Sequence, residues 1–332
     1  MATTIRDVAD AARVSPATVS RVLNGRDVAA DLAARVHDAV TRLGYRPNSL
    51  ARNLRKQATM VLGVVISDVT NPFFTSMVRG VEDLAQAHEY SVVLANSDED
   101  LAKEQRYLEV AAAEHMAGVV LSPASSRRTD VSVLADHRIP VVTVDRLLRG
   151  VDVDSVVIDN HHAAREATEH LAAQGCRRIA FVSGPSTTTT GERRLAGYRA
   201  ALKHAGLRDD PDLVVRADFR VDGGHRATLE LLDGPARPDA VLVSNNLMAL
   251  GALQALHERR VRLPDDLCFA SFDGVAWAGA LRPTLTVVEQ PTYDIGRTAA
   301  ELLLARIAER SRATQQVVLP SQLVVGESSQ RR

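Results

Sequence analysis

The 332-residue chain is 45% hydrophobic and 24% charged, with a formal net charge of −1. That is enough apolar material for two or three domains, and no apolar run is long enough to span a membrane. Cys176 and Cys268 are too few and too far apart for a disulfide framework and lack CxxC or Cys/His spacing, and Met1 leads into a polar stretch without a secretory pattern; together these predict a reduced, cytoplasmic protein with buried thiols.

The first predicted elements are two short helices joined by a tight turn, within residues 4–25. Val8, Ala9 and Ala12 share one apolar face, and Val19, Val22 and Leu23 share another. Between them Ser15 is placed to cap the second helix, and Pro16 then occupies the first helical position, where a missing N–H costs nothing. Gly25 offers a left-handed stop after Asn24. The second helix presents Thr18, Ser20, Arg21 and Asn24, a polar set suited to phosphates and base edges in a DNA major groove. A third helix is predicted over 30–43, with Val36, Val40 and Leu43 facing the first two and Gly44 closing it. Residues 48–56 follow as a basic segment that Asn48 could cap as a short helix, too short to be stable alone. Charge agrees with a DNA partner at this end. Residues 1–60 hold ten Lys and Arg against five Asp and Glu, leaving 30 against 36 for the rest.

From Met60 short apolar strands alternate with helix-length segments. Strands are predicted at 61–66, 91–95, 118–121, 141–145, 178–183, 240–244 and 268–272, with helices between them that include 74–88, 195–205, 247–259 and 295–308. Strands separated by amphipathic helices imply parallel sheets covered on both faces. The units are too many for one sheet, so two doubly wound subdomains are expected. The polar residues just after strands, Asp68, Asn71, Ser97, Asp98, Asp145, Ser183, Asn245 and Asp273, then gather where open α/β sheets bind ligands.

These residues also carry a family resemblance. Ile5-Arg6-Asp7-Val8-Ala9, Thr18-Val19-Ser20-Arg21-Val22-Leu23-Asn24, Leu43-Gly44-Tyr45-Arg46-Pro47-Asn48 and Ala51-Arg52-Asn53-Leu54, together with Asn71-Pro72-Phe73-Phe74, Arg194-Leu195-Ala196-Gly197-Tyr198, Met248-Ala249-Leu250-Gly251 and Pro283-Thr284-Leu285-Thr286, occur in order over the whole chain. The chain resembles the lactose repressor/galactose repressor family of bacterial transcription regulators. The resemblance implies a helix-turn-helix headpiece (1–46), a hinge helix and linker (47–58), and a periplasmic-binding-protein-like core (59–332) of two doubly wound parallel-sheet subdomains, about 60–160 plus 292–321 and about 161–291 plus 322–332.

It further implies a homodimer that reads a palindromic operator and is controlled by a small effector in the cleft between subdomains. Major-groove reading falls on Pro16, Ala17 and Arg21. Pro16 and Ala17 carry no side-chain donor or acceptor, so hydrogen-bonded readout concentrates on Arg21, which suits guanine. Thr4, Ser15, Thr18, Ser20, Asn24, Asn48, Ala51 and Arg55 are the other expected DNA contacts, and Leu54 is the expected minor-groove wedge. Effector contacts carry over to Asp145, Arg194, Asn245 and Asp273, with Phe74, Phe219 and Gln290 beside them. Carboxylates, an amide and a guanidinium around aromatic rings suit a sugar or sugar derivative. Only Arg194 is assigned as a cation there, which argues against phosphorylated effectors. Asn246 stands where the family has Asp and is read as a helix cap. Trp277 is placed either at the cleft mouth or in packing, and residues 187–190 as a solvated loop. Release of DNA is the expected response; effector-promoted binding is the alternative.

No nucleophile elbow, phosphate loop, dinucleotide fingerprint or zinc motif is present, so neither an enzyme nor a cofactor is expected. His161-His162 lacks a ligand spacing, which argues against a metal. A transport binding protein would fit the core alone, but not the headpiece. The tail at 326–332 has no leucine heptads for assembly beyond the dimer.

Overall fold

The computed structural model describes residues 3–23, 27–45, 59–275 and 279–331. Two compact units are present, Met1–Ala58 and Thr59–Arg332. The small unit is built from α1 (Ile5–Ala12), α2 (Pro16–Leu23) and α3 (Ala30–Leu43). Thr4 and Asp7 close a capping box on α1: the Asp7 amide donates to Thr4 Oγ1 and the Thr4 amide to Asp7 Oδ2 (3.3 and 2.7 Å). Arg13 turns the chain in the left-handed region (φ 50°), and Ser15 then caps α2 by accepting from the Thr18 amide at 3.1 Å. Arg35 of α3 reaches back to the carbonyls of Ala12 and Arg13 (2.5 and 3.0 Å), filling acceptors that the end of α1 leaves open. Val8, Ala9, Ala12, Val19, Val22, Val36 and Ala39 form the core. Ala39 takes the fully buried place that the helical spacing assigns to Val40, which is half-buried together with Leu43. The predicted stop at Asn24 and Gly25 and the basic segment at 48–56 lie outside the described residues.

The described strands of the large unit form two six-stranded sheets. The first holds β1 (Val61–Ile66), β2 (Ser91–Asn96), β3 (Gly118–Leu121), β4 (Val141–Val144), β5 (Asp154–Ile158) and β11 (Gln316–Leu319), in the order β11-β5-β4-β3-β1-β2, all parallel. The second holds β6 (Ile179–Ser183), β7 (Val214–Arg216), β8 (Ala240–Val243), β9 (Cys268–Phe272), β10 (Thr286–Glu289) and β12 (Gln322–Val324), in the order β12-β10-β9-β8-β6-β7. Only the β10–β12 pair is antiparallel. Helices cover both sheets: α4 (Pro72–Ala87), α5 (Leu101–Ala113), α6 (Ser132–Asp136) and α11 (Thr292–Ala308) with the first, and α7 (Asn160–Ala173), α8 (Thr189–His204), α9 (Val221–Asp233) and α10 (Asn246–Glu258) with the second. The chain therefore passes between the lobes three times, after β5, after β10 and between β11 and β12.

The predicted strands coincide with β1, β2, β3, β4, β6, β8 and β9 to within a residue at either end. The sequence pattern misses β5, β7, β10, β11 and β12. β5 opens with the polar Asp154 and Ser155, which leave only three apolar residues in the strand; in the fold Asp154 is buried against Arg306 Nε at 2.9 Å. The last two strands are three- and four-residue edge strands, too short to show a period.

Candidate functional site

In the small unit, Pro16, Ala17 and Arg21 are exposed on α2, whereas Val19 and Val22 face inward. Thr18 and Ser20 are half-buried. The hydroxyls of Ser15 and Thr18 bond each other at 2.9 Å and Thr4 is held by Asp7, so Ser15 and Thr4 already serve as caps and Thr18 is tied to Ser15. Asn24, Asn48, Ala51, Leu54 and Arg55 lie outside the described residues.

In the large unit the loops at the C-terminal ends of both sheets converge on a cleft. α8 places Arg194 there. Gly197, one turn on, has no room for a Cβ, which would meet the His161 carbonyl of α7 at 2.1 Å, and Tyr198 anchors the helix by donating to the Ile179 carbonyl (2.7 Å) and stacking on Phe181. Arg194 is 3% exposed; its Nε donates to Asn160 Oδ1 at 2.7 Å, its Nη1 donates to the Ser244 carbonyl, and its plane lies 4.0 Å from the Phe272 ring centroid. Asp145 and Asp273 flank it, each just after a strand and each in the left-handed region (φ 65° and 66°). Burial pushes both carboxyls up. Asp273 rises to about 6 against the pull of Arg194 and of Gln290, whose Nε2 donates to Asp273 Oδ1 at 2.5 Å; Asp145 rises against the pull of Arg146 and Arg194.

Among the expected effector residues, Phe74, Asp145, Arg194, Phe219, Asn245 and Asp273 line the cleft. Gln290 stands behind it, touching Asp273 rather than the wall. Asn245 caps α10, accepting from the Met248 amide (2.9 Å) while its Nδ2 donates to the Phe219 carbonyl (3.0 Å), so part of its hydrogen-bonding capacity is spent on the fold. Asn246 is therefore the first helical residue and not the cap. Its Nδ2 donates across the cleft to Asn71 Oδ1 at 2.9 Å. Residues 187–190 are an ordered wall element: Thr188 caps α8, Thr189 and Thr190 are buried, and Thr190 lines the cleft. Trp277 lies outside the described residues.

Sequence reasoning passed over Phe73, Glu99, Arg146, Asp218 and Arg220, all on the wall. Arg146 has a local reason to be there. Its amide donates to the Val144 carbonyl at 2.6 Å around the left-handed Asp145, a tight turn that sends two successive side chains to one site, where strand alternation would send them apart. The count of one cation in the cleft is thus corrected to three: Arg146, Arg194 and Arg220. Against them stand Asp68, Glu99, Asp145, Asp218 and Asp273, and the acidic excess favours a ligand rich in donors.

A helical unit with an exposed polar helix face, joined in one chain to a two-lobed α/β unit with a buried polar cleft, defines a ligand-controlled DNA-binding regulator. Among the described residues no helix is long and apolar enough to cross a membrane. Residues 4–48 match the model for bacterial regulatory proteins of the lacI family, and residues 168–329 match that for a periplasmic binding protein-like domain. The ribose operon repressor of Halalkalibacterium halodurans is 38% identical over 98% of this chain and 97% of its own length. A solved complex of the transcriptional regulator CelR with cellobiose is 34% identical, with a TM-score of 0.76 over 98% and 99% of the two chains. The lac repressor dimer bound to operator and the anti-inducer ONPF is 25% identical, with a TM-score of 0.87 over 99% of each chain. The chain belongs to the lacI family of bacterial regulatory proteins, and is a transcriptional repressor rather than an enzyme.

Proposed function

We propose that this repressor acts in the cytoplasm as a homodimer, reads a palindromic operator through Arg21, and releases it when a small neutral sugar fills the cleft, ribose being the first candidate. The observation that carries the sugar reading is the pair of buried carboxylates, Asp145 and Asp273, on either side of Arg194. Raised carboxyl pKa values mark groups short of donors, and a polyol supplies hydroxyl donors to both while accepting from the guanidinium. Phe73, Phe74 and Phe219 bring aromatic surface to the cleft for the apolar C–H side of a sugar. Bonds across the cleft, from Asn246 to Asn71 and from Arg220 Nη2 to the Asp98 carbonyl (2.9 Å), tie its two sides together, which suits a small ligand. The relative named for a ribose operon supports the same class.

In this reading residues 1–46 are the headpiece and 47–58 the hinge, with Leu54 as the minor-groove wedge. The lobes of the core are about 60–160 plus 292–321 and about 161–291 plus 322–332, the division that sheet membership supports. Calorimetry with a panel of neutral sugars, paired with operator gel shifts at constant salt, tests the proposal. A sugar that binds with 1:1 stoichiometry and weakens operator binding is expected. A panel with no binder sinks the sugar reading, and a sugar that strengthens operator binding reverses the sign. Linkage requires operator DNA to weaken sugar binding by the same factor.

A further inference from the structure

We propose that Glu99 is the specificity residue that turns anionic sugars away from the cleft; the inference rests on the sugar reading above. Three arginines around one cleft, Arg146 from the first lobe and Arg194 and Arg220 from the second, would by number suit a phosphorylated ligand, because a guanidinium fork matches phosphate oxygens. Each of the three already has partners in the protein, but only one fork is filled at both of its Nη atoms. Arg194 is tied to Asn160 and Ser244, and Arg220 Nη2 to the Asp98 carbonyl with Nη1 3.9 Å from Asp68. Arg146 is the one whose fork is filled by a full carboxylate: Nη1 and Nη2 donate to Glu99 Oε2 and Oε1, both at 2.6 Å, and Nη1 also to the Pro123 carbonyl at 3.0 Å.

This pair is built with care. Arg146 is 2% exposed and lies 5.4 Å from the Phe219 ring centroid, so its charge is desolvated and its plane is fixed. Glu99 sits at φ 62°, and Asp98 before it at φ 55°, left-handed conformations that cost an L-residue energy and are held here to bring the carboxylate onto the fork. An entering phosphate must either displace Glu99 from Arg146 or lie beside it at like charge. A neutral sugar meets neither obstacle. It needs single donors, and Arg146 Nε is buried without a hydrogen-bond partner, 3.2 Å from Asp145 Oδ2 but outside bonding geometry. The cleft thus selects by charge, with Glu99 as the negative element that keeps the Arg146 fork from receiving an anion.

Titration of the full chain with ribose and with ribose 5-phosphate, in wild type, Glu99→Gln and Glu99→Ala, tests this. Wild type is expected to prefer ribose by at least about 100-fold, and both substitutions to narrow that ratio by about tenfold or more, because an emptied fork gains affinity for the phosphate. The ratio is taken within each variant, so a general loss of affinity cancels. Thermal melting of each variant checks the fold, and the near-isosteric Gln variant decides if the Ala variant does not fold. A wild type that binds both compounds equally, or variants that keep the wild-type ratio, overturn the role of Glu99 while leaving the sugar reading standing. A wild type that binds ribose 5-phosphate and not ribose overturns both.

Discussion

The reading helix and the cleft place polar residues under opposite rules. On α2 Arg21 is exposed and the apolar Val19 and Val22 are hidden, whereas in the large unit Asp145, Arg194 and Asp273 are each less than a tenth exposed and held by named partners. The difference follows from the two ligands. DNA brings its own high charge density and counterions, so a flexible exposed cation suffices and binding is driven by counterion release. A neutral sugar brings no charge, and it must exchange its water bonds for bonds of equal quality, which only a preorganised and desolvated set of groups supplies.

The largest effect is expected from Arg194→Ala. Its removal leaves Asp145 and Asp273 buried without their shared cation, a loss of about 3–5 kcal/mol. Sugar binding is expected to fall by at least about 100-fold in calorimetry while the salt dependence of DNA binding is unchanged. Retained sugar affinity would break the contrast, since the cleft would then not depend on its buried charge set.

Asp273→Asn sharpens the comparison through pH. An acid whose folded pKa is about 6, above its ordinary 3.8, binds more protons folded than unfolded between those values, so it costs stability as pH rises through that window and the full cost stands above pH 6. The Asn variant is expected to lose sugar binding yet to be more stable than wild type at pH 7.5, by up to about 3 kcal/mol, with no gain at pH 4. Thermal melts of the unliganded protein across pH 4–8 read this directly. A variant less stable at every pH would show that Asp273 is held in place by its partners at no cost.

Arg21→Ala should cost about 1–3 kcal/mol of operator affinity and relax preference at one symmetric base pair per half-site. Sugar affinity is expected to stay at the wild-type value. A base-by-base operator scan with unchanged preference at every position would remove Arg21 from the reading set.

The two regions were also unequally legible. The helix-turn-helix announces itself through Ser15-Pro16 and two apolar stripes, local signals that need no tertiary context, and α1, α2 and α3 lie where those signals put them. Strands at the centres of the two sheets are continuous apolar runs and read equally well. The cleft reads only in part. Asp145, Arg194 and Asp273 follow strands or open a family motif, but Glu99 and Arg220 reach the wall through loop geometry that no period encodes, and Arg146 through one left-handed residue. Asn246 was misread because two successive asparagines cap equally well on paper; only the direction of the chain entering α10 makes Asn245 the cap.

The smallest predicted effect concerns how the lobes are held together beside the cleft. Ser126, after β3 in the first lobe, donates through its amide to the Thr187 carbonyl (2.9 Å), accepts at Oγ from the Thr189 amide (2.9 Å), and accepts at its carbonyl from the Arg149 amide (2.7 Å). Thr189 in turn accepts at Oγ1 from the Leu147 amide at 3.0 Å. The bonds to Thr187 and Thr189 run from one lobe to the other, and the prediction is that they help to hold the cleft closed. Ser126→Ala removes the Oγ bond alone and should cost about 1 kcal/mol, less than a buried charge because the freed Thr189 amide lies near an opening where water can replace the hydroxyl. That cost falls on the closed form, so sugar affinity should drop by about fivefold and its dissociation rate rise. Thr168→Val is the matched control: its hydroxyl donates to the Ala164 carbonyl at 2.7 Å within α7, inside one lobe, so it should lower the melting temperature without moving sugar affinity. Equal effects of the two substitutions on sugar binding would mean that Ser126 stabilises the lobe and not its closure.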